Sequence, residues 1–190
     1  MYAHFMASFL VVYGTGEGQT ATVAARITEV IEGRTHEVTT VDIESMSDGI
    51  SVEAFDAVLI GSSIHVGNHH AAIRSFVTAH REALRVRPTG FFQLSLSSAV
   101  DDEDRRAEAA RYVDEFLEET GWNPDRIALF GGALRYSKYG FLKRLMMKRI
   151  AKKATGDVDT SRDHEYTDWG EVEAFAADFA AFVEARCKET

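Results

Sequence analysis

At 190 residues, 45% of them hydrophobic, the chain is long enough for one well-buried core and too short for two ordinary domains. Its formal net charge of −9 argues against nucleic acid or an acidic membrane as a partner of the molecule as a whole. The single cysteine, Cys187, excludes an internal disulfide and a CxxC redox pair, so redox chemistry would have to be carried by a cofactor.

In chain order, the N-terminal stretch up to Gly16 carries no formal charge but lacks a basic leader, and it runs straight into a glycine-rich turn. No apolar run reaches the length of a membrane span. A cytoplasmic protein is expected. The apolar run Phe9 to Tyr13 reads as a buried first strand. It breaks into Gly14-Thr15-Gly16-Glu17-Gly18-Gln19-Thr20 and then opens a helix with Val23, Ile27 and Ile31 at helical spacing. Glycines let the backbone turn sharply and aim its N–H groups inward, and the helix start adds its dipole, so the turn is an anion cradle. Neither common phosphate motif is met. Gln19-Thr20 stands where the Walker pattern needs Gly-Lys, and Gln19 stands where the dinucleotide pattern needs a third glycine. Arg26 is the first Lys or Arg of the chain, so a phosphate would rest on amides and on the hydroxyls of Thr15 and Thr20. This neutral loop resembles the one with which flavodoxins hold the phosphate of FMN; the alternative is an ordinary glycine-rich βα turn.

A second strand is expected over 36–43, with Val38 and Val41 apolar, and a third over 55–60, ending in Gly61-Ser62-Ser63. A helix from about His70 to Leu84 turns Ile73, Phe76, Val77 and Leu84 to one face. The fourth strand, 91–96, ends in Ser95-Leu96-Ser97-Ser98, and a helix from about Asp102 to Thr120 follows, its first turn rich in acids. The fifth strand, 127–130, is closed by Gly131-Gly132. A last helix begins near Asp168, with Val172, Phe175, Phe179 and Phe182 inward. Short apolar strands separated by helices predict an α/β fold, a five-stranded doubly wound parallel sheet forming one domain over 1–190.

Ligands of such sheets bind at the carboxyl ends of the strands, where strand order reverses. Three loops should converge there. The first offers Thr15, Gly16, Glu17, Gly18, Gln19 and Thr20. The second, 61–69, offers Ser62, Ser63, Ile64, His65, Val66 and Gly67, and the third offers Ser95, Leu96, Ser97 and Ser98. Small residues let a flat ring approach, and amides and hydroxyls meet its polar edge. Serine and glycine are common in any loop; their coincidence at three neighbouring strand ends carries the inference. His65 is a candidate to steer a ring proton or an anionic substrate, with a solvated loop histidine as the ordinary alternative. No metal site is expected.

One segment breaks the alternation. About 34 residues separate the fifth strand from the last helix, more than a connection needs, which marks an insertion over about 135–165. Residues 135–153 hold eight basic residues and no acid, leaving −17 on the rest of the chain. Leu142, Leu145, Met146 and Ile150 recur at helical spacing, with Arg144, Lys148 and Lys152 on a neighbouring face. An apolar stripe flanked by cations suits a helix in the head-group plane of an anionic membrane. The same cations would suit a substrate bearing carboxylates, or a core-packing helix with a solvated basic face.

Gly132-Ala133-Leu134-Arg135-Tyr136, the basic stretch after it, Tyr166-Thr167-Asp168-Trp169, Glu17-Gly18-Gln19-Thr20 and Ile60-Gly61-Ser62-Ser63-Ile64 resemble the menaquinone-dependent protoporphyrinogen oxidases of the flavodoxin superfamily, and the likeness covers almost the whole chain. Gly16, Ser137 and the acidic 97–104 region depart from that family's pattern, which has a basic residue, a proline and basic residues there. The resemblance implies a flavodoxin-like sheet with a basic helical insertion after the fifth strand, and FMN as cofactor. It further implies protoporphyrinogen IX as substrate, oxidised late in haem synthesis, and a respiratory quinone as acceptor. Arg135 and Tyr136 become candidates for contacting substrate. The chain would then sit on the inner face of the cell membrane through Arg144, Lys148 and Lys152, with no nucleic-acid partner and a homo-oligomer left open. Two other readings stand beside it. A soluble flavodoxin-type electron carrier suits the acidic surface but has no use for the basic stretch. An NAD(P)H:quinone reductase would need nicotinamide to stack directly on FMN, since no separate nicotinamide domain is present.

Overall fold

Four consecutive apolar side chains, Phe9 to Val12, are fully buried, which fixes the strand that carries them, β1 (Ser8–Gly14), inside a sheet covered on both faces. The computed structural model describes residues 5–99, 102–134, 152, 155 and 164–188. After β1 come α1 (Gln19–Glu32), β2 (Glu37–Asp42), β3 (Ala57–His65) and the short β4 (Asn68–His69). Helices α2 (Ala71–Ala79) and α3 (Arg81–Arg85) lead to β5 (Thr89–Ser95), and α4 (Glu103–Thr120) leads to β6 (Arg126–Gly131). A two-stranded ribbon of β7 (Ala133–Leu134) and β8 (His164–Glu165) precedes α5 (Trp169–Lys188).

The strand order is β2-β1-β3-β5-β6, all parallel, with β4 antiparallel on the end of β3. This is the five-stranded doubly wound parallel sheet expected from the sequence, and its order reverses between β1 and β3. The two-residue period of β1 divides the core. Phe9 and Val11 face α1 and α5, where Val23, Ile27, Ile31, Val172 and Phe179 pack. Leu10 and Val12 face the other layer, with Ile73, Val77, Phe91, Phe116 and Trp122.

Three boundaries differ from the sequence reading. The region 61–69 is not one loop: β3 continues to His65, and residues 64–69 fold back as a hairpin pairing Ile64 with His69 and His65 with Asn68. Its two turn residues, Val66 and Gly67, both have positive φ (50° and 77°), the mark of the tight primed turns that match strand twist. The helix expected over 70–84 divides at His80, whose backbone (φ −104°, ψ 12°) leaves the helical basin while its ring packs on Phe76. On α5 the buried stripe is Val172, Ala176, Phe179, Ala180 and Val183; Phe175 and Phe182 lie half-buried at its flank. Alanines on that stripe are small enough to vanish from a search for bulky apolar residues, yet they let the helix approach the sheet.

Candidate functional site

The carboxyl end of β1 comes within van der Waals reach of α2. A Cβ at Gly14 would stand 2.7 Å from the His70 ring, so only glycine lets the chain leave the sheet there. The backbone then turns through Gly18, left-handed at φ 91°, into α1. Thr15 Oγ1 accepts the Gly18 N–H at 2.8 Å and shapes the turn. No side chain caps α1, and its first internal bond is Thr22 N–H to the Gly18 carbonyl. The preceding amides, those of Gln19, Thr20 and Ala21, form the first turn, for which the helix itself offers no acceptor, and they gather at the positive end of its dipole. Thr20 is buried, and among the described residues its Oγ1 makes no hydrogen bond. Buried hydroxyls without partners are costly, so such an atom beside the first turn of a helix marks a place built for an acceptor from outside the chain.

The second rim is the β3–β4 hairpin. Ser63, Ile64 and His65 line the cleft, with His65 exposed at its mouth. Ser62 does not line it: its hydroxyl is buried, accepts the His70 N–H at 3.0 Å and fastens the start of α2. Val66 and Gly67 form the tip of the hairpin, beyond the lining. Beneath the hairpin, His69 donates Nε2–H to Gln93 Oε1 at 2.8 Å, and the Gln93 amide donates to the Ala109 carbonyl at 3.0 Å. Burial among Phe91 and Phe116 pushes the His69 pKa down to about 4, so the ring is neutral at physiological pH.

The third rim follows β5. The Ser95 and Ser98 hydroxyls bond at 2.8 Å, and Ser95 Oγ also accepts the Ser98 N–H at 3.2 Å, closing a tight turn. Ser97 points the other way, donating to Glu108 at 2.6 Å. That bond, with help from Arg105 and Tyr112, holds the Glu108 carboxyl below its usual range and ties the turn to α4. The cleft between the three rims opens to solvent and is lined by Thr15, Gly16, Glu17, Gln19, Thr20, Ser63, Ile64, His65, Ser95 and Leu96. It also takes in Leu94 and Gly132, neither of which the sequence assigns to the site. Alternation along β5 places Leu94, and register pairs Ser95 with Gly131, so Gly132 follows at the rim. Gly18, Ser62, Val66, Gly67, Ser97 and Ser98 are set around the cleft and absent from its lining.

The cleft has no cation among its lining residues. Arg26, the nearest along the chain, is taken by Glu29 at 2.6 Å and by Glu173 of α5 at 2.7 Å. The described residues contain no group of three or more His, Cys, Asp or Glu able to hold a metal. Lys152 is exposed. Arg135, Tyr136, Arg144 and Lys148 lie outside the described residues.

The sequence profile of the flavodoxin domain matches residues 10–161. The protoporphyrinogen IX dehydrogenase [quinone] of Escherichia coli (strain K12) is 33% identical over 171 residues, 90% of this chain and 93% of that protein. A protein of the same name from Leishmania major is 33% identical over 174 residues, 90% of this chain and 74% of its own. Among solved structures, Fusobacterium nucleatum flavodoxin bound to flavin mononucleotide superposes with a TM-score of 0.51 at 12% identity, covering 95% of this chain and 99% of that one.

Proposed function

This chain belongs to the flavodoxin-domain family, in the branch of the protoporphyrinogen IX dehydrogenases [quinone], and on that premise we propose that it is an FMN-dependent enzyme oxidising protoporphyrinogen IX at the expense of a quinone. The observation that carries the reading is one-third identity sustained over nine-tenths of the chain with relatives of that name.

The cleft fits the cofactor. A phosphate is a dianion, and the donors at hand for it are uncharged: the first-turn amides of α1, the hydroxyl of Thr15 and the unpaired hydroxyl of Thr20. Gly16 adds room, since nothing lies within 4 Å of a Cβ built there. The hairpin 64–69 and the Ser95–Ser98 turn stand where they would flank a flat ring, Ile64 and Leu96 offering apolar surface and Ser63 and Ser95 polar edges. FMN, when bound, supplies the hydride or electron chemistry. The protein's own residues bind, orient and shield: the cradle fixes the phosphate end, the hairpin and turn set the ring plane, and apolar rims limit water. His65 is the one imidazole among the lining residues and is placed to take a proton from substrate at the mouth.

A lipid-borne quinone such as menaquinone as acceptor, and residence on the inner face of the cell membrane, extend the same reading. Arg144, Lys148 and Lys152 would supply the attraction, with Arg135 and Tyr136 meeting substrate. No helix among the described residues is long and apolar enough to cross a membrane, so surface attachment is the mode that such a reading requires.

The deciding experiment is anaerobic rapid mixing of the flavin-loaded protein with porphyrinogen or with NAD(P)H, followed by a quinone. Flavin bleaching by porphyrinogen and recolouring by quinone is the expected result. Fast reduction by NAD(P)H with none by porphyrinogen would instead make the protein an NAD(P)H:quinone reductase.

A further inference from the structure

The motif Tyr166-Thr167-Asp168-Trp169 leads from β8 into α5. Three of its members have evident local duties. The Tyr166 N–H donates to the Gly132 carbonyl at 3.1 Å, and the Tyr166 carbonyl occupies the space a Cβ on Gly131 would need, 2.2 Å away. Asp168 caps α5 by accepting the Glu171 N–H at 3.2 Å. Trp169 donates its indole N–H to Glu165 at 3.0 Å.

Thr167 does something different. Its hydroxyl has one hydrogen, and that hydrogen goes to the Gly131 carbonyl at 2.9 Å. The oxygen is therefore an acceptor toward Gln19, whose Nε2 donates to it at 2.9 Å. Gln19 is the first residue of α1 and is 4% exposed, so this bond across 148 residues of chain sets the orientation of a buried amide at the mouth of the cleft. At its other end the bond is fixed to β6, one residue before Gly132, which lines the same cleft and bonds Ser95 at 3.0 Å. The docking of α1 on α5 does not need this contact. Val23, Ile27 and Ile31 pack against Val172, Ala176 and Phe179 in the shared core, and Arg26 pairs with Glu173.

We propose that Thr167 is a positioning residue of the cofactor site. By tying the Gln19 side chain to the end of β6, it holds the first-turn amides of α1 in register for a phosphate dianion. The inference rests on the FMN reading of the cleft, and it reaches beyond it by making the link between β8 and α5 part of the phosphate cradle.

The test compares FMN with riboflavin, which has the same ring and no phosphate, by quenching of flavin fluorescence on titration with apoprotein. Thr167→Val is expected to weaken FMN about five- to tenfold, the cost of one partly buried hydrogen bond, with riboflavin affinity unmoved. Thr167→Ser, which keeps the hydroxyl, should stay within about twofold of the wild type for both ligands. In the background of Gln19→Ala, Thr167→Val should add nothing, since the partner through which it acts is gone. Equal loss for FMN and riboflavin, full additivity with Gln19→Ala, or no loss at all would overturn the proposal. If Thr167→Val does not fold, Thr167→Ala carries the same comparison. A wild-type protein that binds neither flavin would refute the cofactor reading itself, before any variant is compared.

Discussion

Thr20 shows how much a single atom can say. Its hydroxyl is buried at the start of α1 and has no partner among the described residues, an arrangement that costs stability unless an outside acceptor is present. Thr20→Val keeps the shape and removes the hydroxyl. It should weaken FMN by about 1.5–3 kcal/mol, roughly 10- to 150-fold, while leaving the thermal midpoint of the apoprotein unchanged or higher. Flavin titration and a melting curve on the same sample check both halves. His69 carries a second residue-scale consequence, in pH. Its folded pKa of about 4 lies below the ordinary 6.5 because burial disfavours the charged ring. Between those values the unfolded chain holds the extra proton, so stability is complete above pH 6.5 and is lost as pH falls toward 4, by about 3 kcal/mol. Urea unfolding over that range should show the loss, and His69→Gln, which still offers Gln93 a donor, should flatten it.

At the scale of elements, the β3–β4 hairpin is the feature least visible in the residues. Small and polar side chains from Gly61 to Asn68 look like a loop, and only pairing with a neighbour turns such a run into strand. Val66 occupies a left-handed position at φ 50°, which a β-branched side chain resists. Val66→Asn should therefore stabilise the fold by about 1 kcal/mol, raising the melting point by about 2–4 °C. A melting point that fell would mean that the valine side chain, 62% exposed, is held by contacts worth more than its strain. Gly131 is the opposite case, a position with no room. A methyl group there meets the Tyr166 carbonyl at 2.2 Å, so Gly131→Ala should cost about 1–3 kcal/mol and loosen the start of α5, visible as faster amide exchange over 166–172.

For the whole molecule, charge is the governing term. The chain carries −9 in total, but residues 135–153 hold +8 and the remainder −17. With a Debye length of about 8 Å at physiological salt, the two regions act on nearby surfaces separately. Each cation close to an anionic bilayer contributes about 1 kcal/mol, so half of the eight would hold the protein there reversibly. Salt-sensitive binding to anionic liposomes is expected, lost when Arg144, Lys148 and Lys152 all become glutamate, with FMN affinity unchanged. The same change should slow oxidation by membrane quinone more than oxidation by a water-soluble analogue. Equal slowing by both, with liposome binding intact, would place these cations at the substrate site.

The residues alone determined the sheet and its handed alternation. An unbroken buried run such as Phe9 to Val12, followed by helical spacing at Val23, Ile27 and Ile31, is local information, and backbone sterics convert it into a βα unit without help from distant chain. They also pointed to the three strand ends that the fold brings to one cleft, because a parallel sheet puts all its carboxyl ends on one side. Tertiary structure decided what each serine and glutamine there does. Ser62 fastens α2, Ser97 bonds Glu108 and Gln19 bonds Thr167, since a hydroxyl or amide commits to whichever partner the packed chain delivers within 3 Å. Those partners lie 8, 11 and 148 residues away along the chain, and no local pattern encodes which of them arrives.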